Sequence, residues 1–210
     1  MDKSKIAVAI FNKLAKMYQD KFMNVDLYSE SFDLFCNAIQ KENATILEIA
    51  CGPGNITKYL LNKRPDFNIL GIDLAPQMIE LAKINNPTAN FLLMDCRQIE
   101  SITSRFDGIM CGFCLPYLTL EETHNLINNV SNLLNLGGIL YLSTMEGDYN
   151  LSGFKKGSTG DEIFMHFYQA KDLRKILISN AFEILKLQHQ MYPTDTEQDT
   201  MDLVIIAKKI

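Results

Sequence analysis

From Thr45 onward the chain alternates short, nearly unbroken apolar runs with amphipathic or polar stretches, and this rhythm constrains the fold more than any other feature. The runs are 45–50, 67–73, 90–94, 106–111 and 138–145. Such runs read as strands buried on both faces, and the connections between them are long enough to cross over. Successive strands are therefore expected to lie parallel, with right-handed crossovers, in a doubly wound, Rossmann-like α/β sheet. The tail departs from the rhythm. Residues 182–191 and 201–209 both read as strands, but only the polar stretch 193–200 joins them. That gap is too short for a crossover helix, so the final pair is predicted to be an antiparallel hairpin.

Helix signals fit this arrangement. Apolar residues recur at helical spacing through 6–23 (Ile10, Phe11, Leu14, Tyr18, Phe22) and again through 26–39, so two helices precede the first strand. Thr119 followed by Glu122 forms a capping box that opens a helix to about Leu134, with Gly137 and Gly138 expected to close it. Pro76 suits a helix's first turn. The glycine-bearing stretch 147–161 carries no periodic pattern and reads as a mobile loop and lid, 147–165 with its flank. The whole, 1–210, reads as one domain whose residues 1–42 form a helical cap, and 47% hydrophobic residues suffice for a single core.

Composition narrows function by exclusion. No run approaches the roughly 20 apolar residues of a membrane span, and the N-terminus lacks the order of a signal peptide. Five cysteines, an odd number, fit reduced thiols better than a disulfide framework, so a cytoplasmic location is expected. A net charge of −5 argues against a nucleic-acid partner, which normally meets a dense field of Lys and Arg. The sequence carries no signal for an oligomeric state.

The chemistry concentrates in Glu48-Ile49-Ala50-Cys51-Gly52-Pro53-Gly54, where a strand ends in a tight glycine turn that opens a helix. At the carboxyl edge of a first strand, such a turn lets a nucleotide-like ligand approach the backbone. A dinucleotide fingerprint continues to a third glycine, but Thr57 stands there, and an acidic Glu48 suits a cationic ligand better than a pyrophosphate. S-adenosylmethionine, with its sulfonium and ammonium, fits that requirement. Roughly 20 residues on, Asp73 ends the second strand, where a carboxylate accepts hydrogen bonds from ribose hydroxyls. Asp95, after the third strand, is placed to accept one from an adenine amino group.

With these residues in view, the chain resembles the class I S-adenosylmethionine-dependent methyltransferase family from about Phe11 to the C-terminus. The family's glycine motif matches 48–54, its ribose acid falls on Asp73 and its adenine-side acid on Asp95; Phe106-Asp107-Gly108-Ile109 resembles the start of its fourth strand, and 133–138 its turn into the fifth. The resemblance implies a seven-stranded, mostly parallel sheet of order 3-2-1-4-5-7-6 with an antiparallel last strand. It also implies a cofactor site drawn from Tyr18, Glu48, Gly52, Gly54, Asp73, Leu74, Met78, Asp95, Cys96, Cys111 and Phe113. Two departures are Ala75, where many members have a capping Ser, and Asn180-Ala181-Phe182, in place of an Ala-Gly-Phe turn.

The acceptor side is read from position. Residues 112–117 should line the gap between cofactor and a small-molecule acceptor, with Phe113 and Tyr117 as aromatic walls. His166 is the preferred candidate base, with Tyr117 beside it. Cys51, Cys96, Cys111 and Cys114 all fall at the same sheet edge and are expected to cluster there as buried apolar thiols rather than to hold a metal. Two other readings compete: a nicotinamide-dependent oxidoreductase, disfavoured by Thr57, Glu48 and the terminal hairpin, and a protein that binds the cofactor without catalysis.

Overall fold

The computed structural model describes residues 3–157, 159–193 and 200–210. Their elements run α1 (Lys3–Phe22), α2 (Ser29–Ala38), β1 (Thr45–Ile49), α3 (Asn55–Lys63), β2 (Asn68–Asp73), α4 (Pro76–Asn85), β3 (Asn90–Leu93), β4 (Phe106–Gly112), α5 (Leu120–Leu133), β5 (Leu134–Met145), β6 (Gly153–Lys156), β7 (Glu162–Met165), α6 (Ala170–Ser179), β8 (Phe182–Tyr192) and β9 (Thr200–Lys209). The main sheet has seven strands in the order β3-β2-β1-β4-β5-β9-β8. β1 pairs in parallel with both β2 and β4, whereas β9 runs antiparallel to β5 and β8. With the small β6–β7 ribbon set aside, this is the expected order 3-2-1-4-5-7-6. The joint of the terminal hairpin, 194–199, lies outside the described residues.

Strand direction follows from side-chain alternation. In β1, Leu47 and Ile49 face one core, with α5 and α6 across the sheet supplying Leu126, Ile127, Val130, Leu173 and Leu177. Ile46 faces the other, against Phe32 and Phe35 of α2 and Leu60 of α3. Both faces are thus covered, the condition under which parallel strands are continuously apolar. Glu48 shares the face of Ile46, so the pleat puts a carboxylate inside the core at the strand's carboxyl end. Among the described residues no helix is long and apolar enough to cross a membrane.

Two expectations need correction. α5 opens on the anticipated box, Thr119 Oγ1 accepting from the Glu122 backbone and Glu122 from that of Thr119, but it ends at Leu133 without a glycine. Gly137, at φ +79°, instead turns a bulge where the β4–β5 ladder jumps from Phe106↔Leu134 to Gly108↔Ile139. The conformation is left-handed, which glycine adopts without steric cost. Nor is 147–161 irregular throughout: after a 3-10 turn at Tyr149–Leu151, β6 pairs antiparallel with β7. Short strands of four residues with few apolar partners leave little periodic signal to read.

α1 lies across the carboxyl edge of the sheet. The Asn12 side chain accepts the Gln77 backbone N–H in the first turn of α4 (2.9 Å), the Gln19 side chain takes a bond from Asn85 (2.8 Å), and the Phe22 carbonyl takes one from Asn55 (3.0 Å). Lys3 sits over the Phe164 ring and Lys13 pairs with Asp161 at 3.0 Å, so α1 also meets the β6–β7 ribbon.

Candidate functional site

The strand order reverses between β1 and β4, and in a doubly wound sheet the crevice beyond the carboxyl ends at that point is where ligands bind. A cavity occupies this place. Its lining includes Ala50, Gly52, Asp73, Leu74, Ala75, Met78, Asp95, Cys96, Arg97, Phe113, Cys114 and Tyr117, with Ser4, Ala7, Val8, Phe11 and Tyr18 of α1 as its roof.

Asp73 shows how backbone geometry sets the site. One carboxylate oxygen accepts the Gly52 N–H (2.9 Å) and the other the Ala75 N–H (2.8 Å), which fixes the side chain between the glycine turn and the start of α4. Ala75 itself caps nothing, and the first-turn N–H that a serine there would take, that of Gln77, is accepted by Asn12 of α1 instead. Burial raises the Asp73 carboxyl above its usual range against the pull of the backbone bonds from Ala75, Gly52 and Leu74. Each oxygen keeps a lone pair for a ligand hydroxyl.

Asp95 is organised differently. Its carboxylate caps a 3-10 helix at Cys96–Ser101 by accepting the Arg97 N–H (2.9 Å), and the Arg97 side chain folds back on it, Nη2 at 2.6 Å and Nε at 3.0 Å to both oxygens. Burial pulls the Asp95 carboxyl up, but the Arg97 bonds outweigh it and hold the group below the ordinary carboxylate range. Arg97 spends its remaining capacity on Glu122 at 3.0 Å. Sequence reading missed Arg97; the signal was an Asp-x-Arg at a strand end, where a side chain can turn back on its own cap.

Other expected site residues fall outside the lining. Gly54, at φ +77°, caps α3, and a Cβ there would stand 2.3 Å from Asn86 Nδ2 and 3.3 Å from Ala82 Cα, so this glycine serves the close approach of α4. Glu48 lies beneath the turn, 1% exposed; Thr57 donates to one oxygen and the other, Oε1, has no partner. Burial pushes its pKa up to about 8. Thr57, where a third glycine was absent, is thus the hydroxyl that holds this acid. Cys111 is buried in the sheet core. His166, the candidate base, also lies outside the lining. Its backbone N–H donates to the Pro116 carbonyl (2.8 Å), and its ring packs between Tyr149 and Phe164 with Nδ1 unpartnered, behind Tyr117 rather than on the cavity. The β6–β7 pairing turns it there, and burial, with the Lys3 charge, lowers its pKa, so the ring is neutral at pH 7.

Aromatic rings wall the remaining side. Phe11 meets Tyr117 edge-on at 5.1 Å and Tyr18 at 5.8 Å, and Tyr28 meets Phe113 at 5.3 Å. Burial, followed by the neighbouring Asp73 charge, pushes the Tyr18 phenol up to about 12; burial and Tyr18 push Tyr117 higher still. Both phenols are therefore hydrogen-bond donors rather than bases. The cysteines cluster as expected in part: Cys114 Sγ lies 3.6 Å from Cys96 Sγ, and Cys111 bonds Cys114 from beneath. Among the described residues no group of three acidic, His or Cys side chains fits a metal ion.

Comparison with known proteins agrees with this fold. Residues 46–138, from the first strand to the turn into β5, match the methyltransferase domain family. A putative methyltransferase, 235L, of Invertebrate iridescent virus 6 is 32% identical over 127 residues, covering 57% of this chain and 47% of that protein. An S-adenosylmethionine-dependent methyltransferase structure from Methanosarcina mazei superposes with a TM-score of 0.70 at 23% identity, covering 83% of this chain and 96% of that one. A Burkholderia thailandensis 1,6-didemethyltoxoflavin N1-methyltransferase, solved with that compound and S-adenosylhomocysteine, gives a TM-score of 0.74 at 17% identity over 98% and 88%. The match over 46–138 is to a methyltransferase domain, and the fold of the chain is that of S-adenosylmethionine-dependent methyltransferases. It spans between 45% and 65% of the length of four curated relatives it matches.

Proposed function

We propose that the chain transfers a methyl group from S-adenosylmethionine to a small-molecule acceptor beneath α1, as a single domain with α1 and α2 as cap and the β6–β7 ribbon as lid. The observation that carries the reading is the donor set of the cavity. Its charged lining groups are the carboxylates Asp73 and Asp95 and the cation Arg97, which is committed to Asp95 and Glu122. A pyrophosphate would want free cations and an open helix N-terminus; a nucleoside carrying a cationic tail wants carboxylates.

The residues fit the group as follows. Asp73 would accept ribose hydroxyls, Asp95 and the Cys96 backbone would meet the adenine edge, Leu74 and Met78 would cover its faces, and the turn at Gly52 with Tyr18 would hold the amino-acid tail, Glu48 acting through the turn. When bound, S-adenosylmethionine supplies an electrophilic methyl on a sulfonium. The chain's own part is to orient and to exclude water: Phe11, Phe113 and Tyr117 form a dry wall, and Tyr117 donates a hydrogen bond toward the acceptor side without taking a proton. His166 backs Tyr117 as a positioning residue.

Isothermal titration of the purified chain with S-adenosylmethionine, S-adenosylhomocysteine and NADH tests this. Micromolar binding of the first two without NADH is expected. NADH binding alone would replace methyl transfer with hydride transfer, and cofactor binding with no methylation across an acceptor panel would favour a binding protein without catalysis.

A further inference from the structure

Cys96 and Cys114 both line the cavity, and neither thiol is used in the functional reading above. Cys96 opens the 3-10 helix that Asp95 caps, whereas Cys114 follows Phe113 and precedes the turn Leu115–Tyr117. They come from loops after β3 and β4, two strands that are not neighbours in the sheet, yet their sulfurs meet at 3.6 Å. The other three cysteines are absent from the cavity lining. We propose that Cys96 and Cys114 form a modification site: a dithiol in the floor of the nucleoside end that hydroperoxides convert to a disulfide, weakening cofactor binding. The effect on binding rests on the cofactor assignment above; the crosslink itself does not.

The distance decides the chemistry. A disulfide has an S–S bond of about 2.05 Å, so closing the 3.6 Å gap draws the two loops together by about 1.5 Å. Cys96 adjoins Asp95 and Cys114 adjoins Phe113, which holds a left-handed φ of +53° pinned by Ser143. Neither loop has slack: the first is tied by the Asp95–Arg97–Glu122 chain and the second by the Phe113 N–H to the Ser143 carbonyl at 3.1 Å. The movement therefore falls on the cavity floor between them.

The step balances as follows. Cys96, the more exposed of the two, attacks one peroxide oxygen as a thiolate; the O–O bond breaks, the second oxygen leaves as alcohol or water, and a sulfenic acid remains. Cys114 Sγ then attacks Cys96 Sγ, forming the S–S bond and expelling hydroxide, which takes the Cys114 proton. Two thiols lose two electrons and the peroxide is reduced. The bond to Cys114, followed by burial, holds the Cys96 thiol well above its ordinary pKa, so the first attack is slow and quickens as pH rises. A bound nucleoside covers both sulfurs, so ligand and peroxide compete.

The test takes the full chain, reduced, then treated with hydrogen peroxide, with and without saturating S-adenosylhomocysteine. Intact mass and non-reducing peptide mapping score the bond; titration with S-adenosylhomocysteine scores the consequence. The expected result is a Cys96–Cys114 linkage with loss of two hydrogen atoms, formed more slowly with ligand present. Affinity should fall at least tenfold and return on reduction with dithiothreitol. Cys114→Ser should abolish the linkage, leaving peroxide to add oxygen at Cys96 in place of the loss of two hydrogen atoms. No linkage, a Cys111–Cys114 linkage in its place, or unchanged affinity after full crosslinking would overturn the proposal. If the reduced chain fails to bind S-adenosylhomocysteine at all, the cofactor reading falls, while the mass data still judge the dithiol.

Discussion

The floor and the roof of the cavity are built on different principles. The floor comes from consecutive strand ends, β1, β2 and the turns after β3 and β4, where backbone N–H groups grip carboxylates inside a sheet covered on both faces. The roof is held by side chains: α1 meets the floor through Asn12 and Gln19 on α4, the Phe22 carbonyl on Asn55 and apolar packing of Phe11, Ala15 and Tyr18 near Ala75 and Met78, and meets the β6–β7 ribbon through the exposed Lys13–Asp161 pair and Lys3 over Phe164. Backbone-held groups cannot move without breaking the sheet, whereas exposed ion pairs contribute little to stability. The floor is therefore preorganised, and the proposed lid would open at the expense of the side-chain contacts of the roof rather than of the sheet.

Substitutions at both levels can break that comparison. The largest effect is expected for Gly54→Ala, which adds a Cβ 2.3 Å from Asn86 at a left-handed φ; chemical denaturation should show a loss of roughly 3 kcal/mol. A neutral outcome would mean that α3 and α4 are less tightly joined than the floor argument requires.

Next comes Glu48, whose folded pKa of about 8 lies above its ordinary 4.5. A raised acid favours the folded state fully below pH 4.5, and that contribution is lost as pH climbs toward and through 8. Between pH 6 and 9 the loss is on the order of 2 kcal/mol. Glu48→Gln should remove this slope from a series of thermal melts, and an unchanged slope would place the titration elsewhere.

Asp73→Ala should weaken S-adenosylhomocysteine binding by about 10- to 100-fold, the range for losing hydrogen bonds to a charged acceptor. The chain should still fold cooperatively, and wild-type affinity would remove Asp73 from the floor's ligand set.

A smaller gain is expected at Ala181, held at φ +60° between α6 and β8. Ala181→Gly should stabilise the fold by roughly 0.5–1 kcal/mol in urea denaturation, the left-handed strain relieved less glycine's entropy. Last, Lys13→Ala in the roof should leave the melting temperature unchanged while speeding release of S-adenosylhomocysteine in stopped flow. A drop in melting temperature would show the roof to be part of the folded core.

The strand order followed from the family resemblance, while the sequence by itself determined the strand-helix alternation, the glycine turn, the strand-end places of Asp73 and Asp95, the capping box at Thr119 and the antiparallel close. Each is set by neighbours along the chain: apolar period, connection length, the residue at a strand's end. The link from Arg97 to Glu122, the burial of His166, the packing role of Gly54 against Asn86 and the meeting of Cys96 with Cys114 were decided only by the tertiary structure. These join segments whose separation in the chain carries no record of their distance in space. Burial, which sets the acidity of Glu48 and the neutrality of His166, likewise belongs to the assembled core, because desolvation depends on what covers a group from every side.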